Sequence, residues 1–194
     1  MVAASILPVS IHKGKLYFLF GKENELEDSA KGFSDFGGAV ENGESILETA
    51  TREGAEELCG FLGDSSQIKR LLKTGVYKLV HNDYHIHIFV MNYDENLPCF
   101  FTNHHRFLWE RMDTTLLNNS KYFEKQEIRW FSTQELRSLK SQFRPFYREI
   151  VDDILCHVTK IAAFANKRKN TRTTCSLKKF QRKNSTQRRL IKGG

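Results

Sequence analysis

Cysteine is sparse and scattered in this chain. The four residues Cys59, Cys99, Cys156 and Cys175 include no CxxC pair, so a zinc knuckle or ribbon has no ligand frame. Their scatter fits free thiols in a reducing compartment. Long apolar runs are missing too: none approaches the roughly 18 residues of a membrane span. The opening MVAASILPVSI has no basic leader and carries Pro8. It reads as a buried strand rather than a signal peptide, and an intracellular protein is expected, cytoplasmic or nuclear. No internal repeat is present. Acid is absent from the end of the chain: Lys160 to Gly194 holds 12 Lys and Arg and no Asp or Glu. Met1 to Thr159 holds the other 18 basic residues against all 23 acids. The net charge of +7 therefore divides into a mildly acidic body and a strongly basic arm.

What is present fits one globular domain. The length is 194 residues, with 40% hydrophobic and 27% charged residues, enough for a sizeable core without a disulfide staple. Ser5–Ile11 and Leu16–Phe20 are rich in strand formers, with a turn over His12–Lys15 around Gly14. Glu23–Lys31 reads as a loop, and Gly32–Gly43 as a glycine-rich lead into a helix. Val76–Val80 and His85–Tyr93 predict a second hairpin turning at His81–Asp83. Asp94–Thr102 reads as a loop and His105–Leu117 as a helix. Ile128–Phe131 predicts a short strand, and Ser132 with Glu135 a capping box behind it. Pro145 suits the first turn of a last helix, in which Phe146, Ile150, Ile154, Val158 and Ile161 form one apolar stripe. These elements predict a domain over 1–166. Residues 167–194, with few apolar side chains and charges of one sign, predict a disordered basic tail.

The segment Gly37–Phe61, GGAVENGESILETATREGAEELCGF, carries the chemistry. Ser45 and Glu48 are spaced as a capping box, so a helix starts there. Ile46, Leu47, Ala50 and Leu58 share one side of it. Glu53, Glu56 and Glu57, at i, i+3 and i+4, share the other. Three like charges on one face repel, and they make sense around a cation. Oxygen ligands favour a hard ion, Mg²⁺ or Mn²⁺. Arg52 can pair with Glu48 or with a neighbouring ligand and hold carboxylates in place.

This segment resembles the signature of the Nudix hydrolase superfamily, G-x5-E-x7-R-E-U-x-E-E-x-G-U, where U is bulky and apolar. Gly38, Glu44, Arg52-Glu53 and Glu56-Glu57 match it. Gly54 stands where a bulky residue belongs, and Gly60-Phe61 match the closing pair only with one extra residue. The order of elements around the signature, including Glu127–Leu136 downstream, is also similar to the family. The resemblance implies an α/β/α sandwich around a mixed β-sheet. It implies Mg²⁺-dependent hydrolysis of a diphosphate linkage, usually in a nucleotide. Glu53, Glu56 and Glu57 would hold the metal with the carbonyl of Gly38. A carboxylate must accept a proton from the attacking water, and Glu53, Glu124 and Glu127 are the candidates.

His85 and His87 alternate on a strand and face one way; with His81, His104 and His105 they suggest a metal cluster, but sheet-surface histidines are the better reading, since no Cys or acid completes a set. Tyr84, Phe89 and Tyr93, or Phe107, Trp109 and Arg111, could hold a base by stacking, and Lys31 and Phe33 could border the substrate. The arm suits a long polyanion, through KRKN and KKFQRK, or serves as a nuclear address. The favoured substrate is accordingly the 5′ cap of RNA, cut to a nucleoside diphosphate and 5′-monophosphate RNA. The alternatives are nucleoside triphosphates, dinucleoside polyphosphates or diphosphoinositol polyphosphates, or a catalytically silent RNA-binding protein.

Overall fold

The structure, a computed structural model, describes residues 1–24, 31–113, 115–116 and 123–168. Strands β1 (Ala3–His12) and β2 (Lys15–Glu23) pair antiparallel, with His12 opposite Lys15. The two residues between them, Lys13 and Gly14, have φ of 47° and 76°, the left-handed pair that a two-residue hairpin requires. Burial along β1 is unbroken from Ala4 to Ile11. Ala4 and Ile6 enter one core, and Leu7, Val9 and Ile11 enter another. A strand apolar on both faces must lie inside the sheet with a layer on each side.

Beyond the hairpin β1 and β2 diverge, and the segment 33–39 fills the gap. Its first part, β3 (Phe33–Ser34), pairs with β2; its second, β4 (Phe36–Ala39), pairs with β1. The hairpin of β5 (Tyr77–His81) and β6 (Tyr84–Val90) joins the other edge of β1, with β6 parallel to it. Strand β7 (Lys125–Ser132) pairs antiparallel with β2. Helices α1 (Ile46–Glu57), α2 (Ser65–Lys73) and α3 (Leu97–Trp109) supply Ala50, Leu58, Ile68, Leu72 and Phe101 to the first core. Helices α4 (Thr133–Ser138) and α5 (Tyr147–Cys156), with a further helical stretch over 158–168, close the second core through Leu136, Tyr147, Ile150, Ile154 and Ile161. The fold is an α/β/α sandwich around a mixed seven-stranded sheet. Among the described residues no helix is long and apolar enough to cross a membrane.

Several local expectations change. Glu23 does not open a loop; it ends β2 and is buried, while 25–30 lie outside the described residues. The glycine-rich stretch is not merely a lead-in, because β3 and β4 lie within it. Residues 65–73, unassigned from sequence, form α2 behind an Asp64–Gln67 capping box. Leu97–Thr102 is helical, not a loop: Pro98 sits in the first turn of α3, which ends at Trp109. Strand β7 begins three residues earlier than expected, at Lys125. Pro145 stands before the cap of α5, Phe146 is exposed, and a turn at His157 splits the last helix in two. Of the expected tail, Lys167 and Arg168 are helical; 169–194 lie outside the described residues.

Candidate active site

Helix α1 builds the site. Ser45 caps it, and Glu48 returns the bond to the Ser45 amide. Its packing face is narrow. Gly54 lies against β1, where a methyl group would meet Ile6 Cδ1 at 2.3 Å. This close approach explains the glycine at a position where the signature has a bulky residue.

Arg52 projects from the other side and gathers acids. Its Nε donates to Glu44 Oε1 at 2.7 Å and its Nη2 to Glu44 Oε2 at 3.0 Å, a two-pronged pair. Its Nη1 donates to Glu53 Oε1 at 2.8 Å and Glu56 Oε2 at 3.1 Å. Glu48, the other expected partner, is instead engaged by Ser45 and Lys69. The guanidinium holds the Glu44 carboxyl down at about 2, and Glu44 in turn raises the Arg52 pKa. Glu53 presses on β4: a side chain at Gly38 would meet Glu53 Oε1 at 2.5 Å. Gly38 therefore offers bare backbone to that carboxylate.

Glu57 does not share a solvent face with Glu53 and Glu56. It turns inward and is buried. Its Oε2 accepts from the Gly37 amide at 2.8 Å, and its Oε1 lies 3.2 Å from Lys125 Nζ. Lys125 is fully enclosed; it donates to Ser34 Oγ at 2.9 Å and to Glu23 Oε1. Arg144 Nη1 donates to the same Glu23 oxygen at 2.8 Å. Burial pushes the Glu57 carboxyl well above the usual range, against the pull of Lys125. Burial opposes the charge on Lys125, but Glu57 and Glu23 hold it above its ordinary value. The expected repulsion among three acids is thus answered within the protein, by Arg52 for two and by Lys125 for the third.

Of the downstream acids, Glu124 lies close enough for its charge to act on Glu57. Its backbone carbonyl accepts from the Asn24 amide at 2.8 Å, and Asn24 Nδ2 donates to the Phe123 carbonyl. Glu127 faces Lys22 at 3.9 Å and lines a cleft of about 620 Å³ between α3 and β7.

The histidines do not converge. His81 pairs with Asp153 at 2.6 Å on the α5 side. His85 and His87 line a groove of about 650 Å³ at the start of α1, with His87 Nδ1 3.2 Å from the Ser5 carbonyl. His104 packs on Phe61 and His105 on Trp109. Among the described residues no three His, Cys, Asp or Glu side chains already enclose a metal position. The acids nonetheless suit a hard ion. Glu53 and Glu56 direct one oxygen each at a single cationic nitrogen, and Mg²⁺ asks for only one or two carboxylates besides water and substrate phosphates.

Of the stacking candidates, Phe89 is core, Tyr84 donates to Asp35 at 2.6 Å, and Tyr93 stacks on His12. Trp109 is taken by His105, while Phe107 is exposed with the Arg111 guanidinium 4.0 Å above it. Lys31 donates to the Asn24 carbonyl and Phe33 is buried. The sequence alone assigns no site role to Glu23, Asn24, Ser34, Lys125 or Arg144. EKQE, Glu124–Glu127, looks like surface charge, and only the β2–β7 register of Glu23 opposite Lys125 reveals the pair.

A NUDIX domain family model matches residues 1–154. Solved structures are similar at low identity. A bifunctional NMN adenylyltransferase/ADP-ribose pyrophosphatase from Francisella tularensis, complexed with AMP and a Mn ion, is 14% identical with a TM-score of 0.50; the match covers 79% of this chain and 40% of that one. An Ap4A hydrolase of C. elegans in a binary complex is 14% identical with a TM-score of 0.47, covering 81% and 98%. The Nudix hydrolase RenU of M. smegmatis is 13% identical with a TM-score of 0.49, covering 83% and 88%. No curated protein matches the chain in sequence.

Proposed function

The chain belongs to the Nudix family and is a pyrophosphohydrolase, and from that premise we propose that it cuts a diphosphate linkage in a nucleotide-type substrate with Mg²⁺ or Mn²⁺, its favoured substrate being the 5′ cap of RNA. The observation that carries the site is the convergence of Glu53 Oε1 and Glu56 Oε2 on Arg52 Nη1, beside the bare backbone of Gly38. Glu53, Glu56 and Glu57, with the Gly38 carbonyl, would hold the ion. When bound, the ion offsets the negative charge of the diphosphate and makes a water nucleophilic at neutral pH.

The chain's own residues supply the rest. Arg52 fixes Glu53 and Glu56 before substrate arrives, so little reorganisation is left for the reaction. The two-pronged pair with Glu44 fixes Arg52 in turn. Glu124 is our choice among the candidate proton acceptors, because it stands immediately before β7 and its charge reaches Glu57 in the acidic cluster. The preference for RNA rests on the arm, whose charges of one sign would follow a phosphate backbone.

The test is a substrate panel with Mg²⁺, its products identified by mass. Capped RNA, nucleoside triphosphates, dinucleoside polyphosphates and diphosphoinositol polyphosphates are compared. We expect a nucleoside diphosphate and 5′-monophosphate RNA from capped RNA. Turnover of only the small substrates overturns the RNA assignment and leaves the diphosphate reading; turnover of none overturns both.

A further inference from the structure

Strands β2 and β7 leave regular pairing where they approach the acids. Leu19 stands opposite Trp130 and Gly21 opposite Ile128, with Leu19, Trp130 and Ile128 in the core on the α1 side. A regular ladder would continue with Gln126 opposite Glu23. Instead the register shifts after Lys22, and Lys125 stands opposite Glu23. Gln126 is the extra residue of a β-bulge, and a shift of one residue exchanges the faces of a strand. Lys125 thereby turns in beside Gly21, Glu23 and Glu57. The same shift brings Glu124 beside Asn24, the first residue past β2. Asn24 grips that point twice. Its amide donates to the Glu124 carbonyl at 2.8 Å, and its side-chain Nδ2 donates to the Phe123 carbonyl at 3.0 Å. Asn24 is buried, as is Phe123, whose ring meets His105 and Trp109 of α3 edge-on.

We propose that Asn24 is a positioning residue for the hydrolysis: by bonding the successive carbonyls of Phe123 and Glu124 it fixes the backbone from which Glu124 reaches the acidic cluster, an assignment that rests on Glu124 as the proton acceptor read above. Glu124 precedes the first residue of β7, so strand pairing does not hold it. Its neighbours do: Phe123 through the Asn24 carboxamide and the rings of α3, Lys125 through its buried acids. The Glu124 side chain itself is only half-buried. Its main chain is therefore fixed on both sides while the carboxylate keeps access to water. A general base must stand within hydrogen-bond reach of the proton it takes, and a misplacement of about 1 Å can cost roughly a hundredfold in rate. Removing the carboxamide takes one donor from a buried carbonyl and releases the peptide that orients Glu124. The ligands on α1 and β4 do not touch Asn24, so the ion should be held as before.

Kinetics of the full chain test this, with Mg²⁺ and the substrate cut fastest in the panel above. Asn24→Ala should lower kcat about thirtyfold, less than the roughly hundredfold or more expected of Glu124→Gln, which removes the base itself. KM, and Mn²⁺ affinity by titration calorimetry, should stay within about threefold of wild type. The decisive comparison is the double variant. In a Glu124→Gln background, Asn24→Ala should change kcat by less than about threefold, since no base remains to be positioned. Asn24→Ser, whose hydroxyl falls short of the Phe123 carbonyl, should behave as Asn24→Ala does and serves in its place if the alanine variant does not fold; circular dichroism checks each. A folded Asn24 variant with wild-type kcat, an equal loss in both backgrounds, or a loss of Mn²⁺ affinity in step with kcat overturns this inference alone. Wild-type kcat in Glu124→Gln overturns the choice of base and this inference with it, and leaves the diphosphate reading standing. A wild-type chain that cuts no member of the panel overturns all three.

Discussion

At Gly54 the absence of a single methyl group decides how closely α1 lies on the sheet. A Cβ there would stand 2.3 Å from Ile6 Cδ1 and 2.7 Å from its Cγ1, and Ile6 is wholly buried. Alanine would favour the helix by about 1 kcal/mol, but overpacking a closed core costs about 1–3 kcal/mol. The clash is with a wholly buried side chain, so Gly54→Ala is expected to show a net loss of up to about 2 kcal/mol in urea melts. Ile6→Val removes the offending Cδ1. The double variant should therefore be more stable than the sum of the two single losses allows. Strict additivity, or a stabilised Gly54→Ala, would mean that α1 can lift off β1 freely. The sequence shows a glycine where bulk is usual, which reads as weak packing; the reason for it is a contact with a residue 48 positions earlier.

The segment 33–39 changes partner from β2 to β1 at Asp35, and that pivot carries a buried acid. Asp35 accepts from Ser5 Oγ at 2.5 Å and from Tyr84 Oη at 2.6 Å, joining β1 and β6 to the pivot. Burial raises its carboxyl from the ordinary 3.8 to about 6, against the lowering effect of those hydroxyls. The folded state therefore keeps the proton over a range in which the unfolded chain has lost it. Stability from this group is fully present below 3.8 and is lost as pH rises through about 6, a change of about 3 kcal/mol at most. Asp35→Asn should remove that component: its melting temperature should fall less than wild type's between pH 4.5 and 7. Parallel curves for the two proteins would place the titration elsewhere. Elements of this kind divide by the range of their causes. The capping boxes of α1 and α4 are legible because cap and partner stand three residues apart. Strands β3 and β4, two and four residues long, carry no period, and distant strands define them. The start of α3 is hidden because Asp94–Thr102 has loop composition, while Pro98 is at home in a first helical turn.

At the scale of the molecule, the resemblance of Gly37–Phe61 to the Nudix signature, with the order of strands and helices around it, makes the layered α/β sandwich legible, and the spacing of acids on α1 marks the site. What stays hidden is the pairing of charges across the sheet, since Glu23, Lys125 and Arg144 meet only after β2, β7 and the segment before α5 have packed. The same packing moves the end of the folded body. Residues 158–168 are helical, and the Arg168 guanidinium lies over Phe164 and against Gly75. A truncation that respects the body therefore ends after Arg168, not after Asn166, and removes nine basic residues and no acid. If RNA is the substrate, each phosphate these residues neutralise contributes roughly −0.7 to the log–log salt slope on a single strand, or about 2.6-fold in affinity per contact for a fourfold rise in salt. Truncation should weaken RNA binding and flatten that slope. Turnover of a free cap dinucleotide should stay unchanged, because its hydrolysis needs only the residues around α1. Equal loss on both substrates would assign 169–194 a part in the fold. Full activity and an unaltered salt slope on RNA would remove the reason for preferring RNA over a small nucleotide, and the arm would then act in localisation or solubility alone.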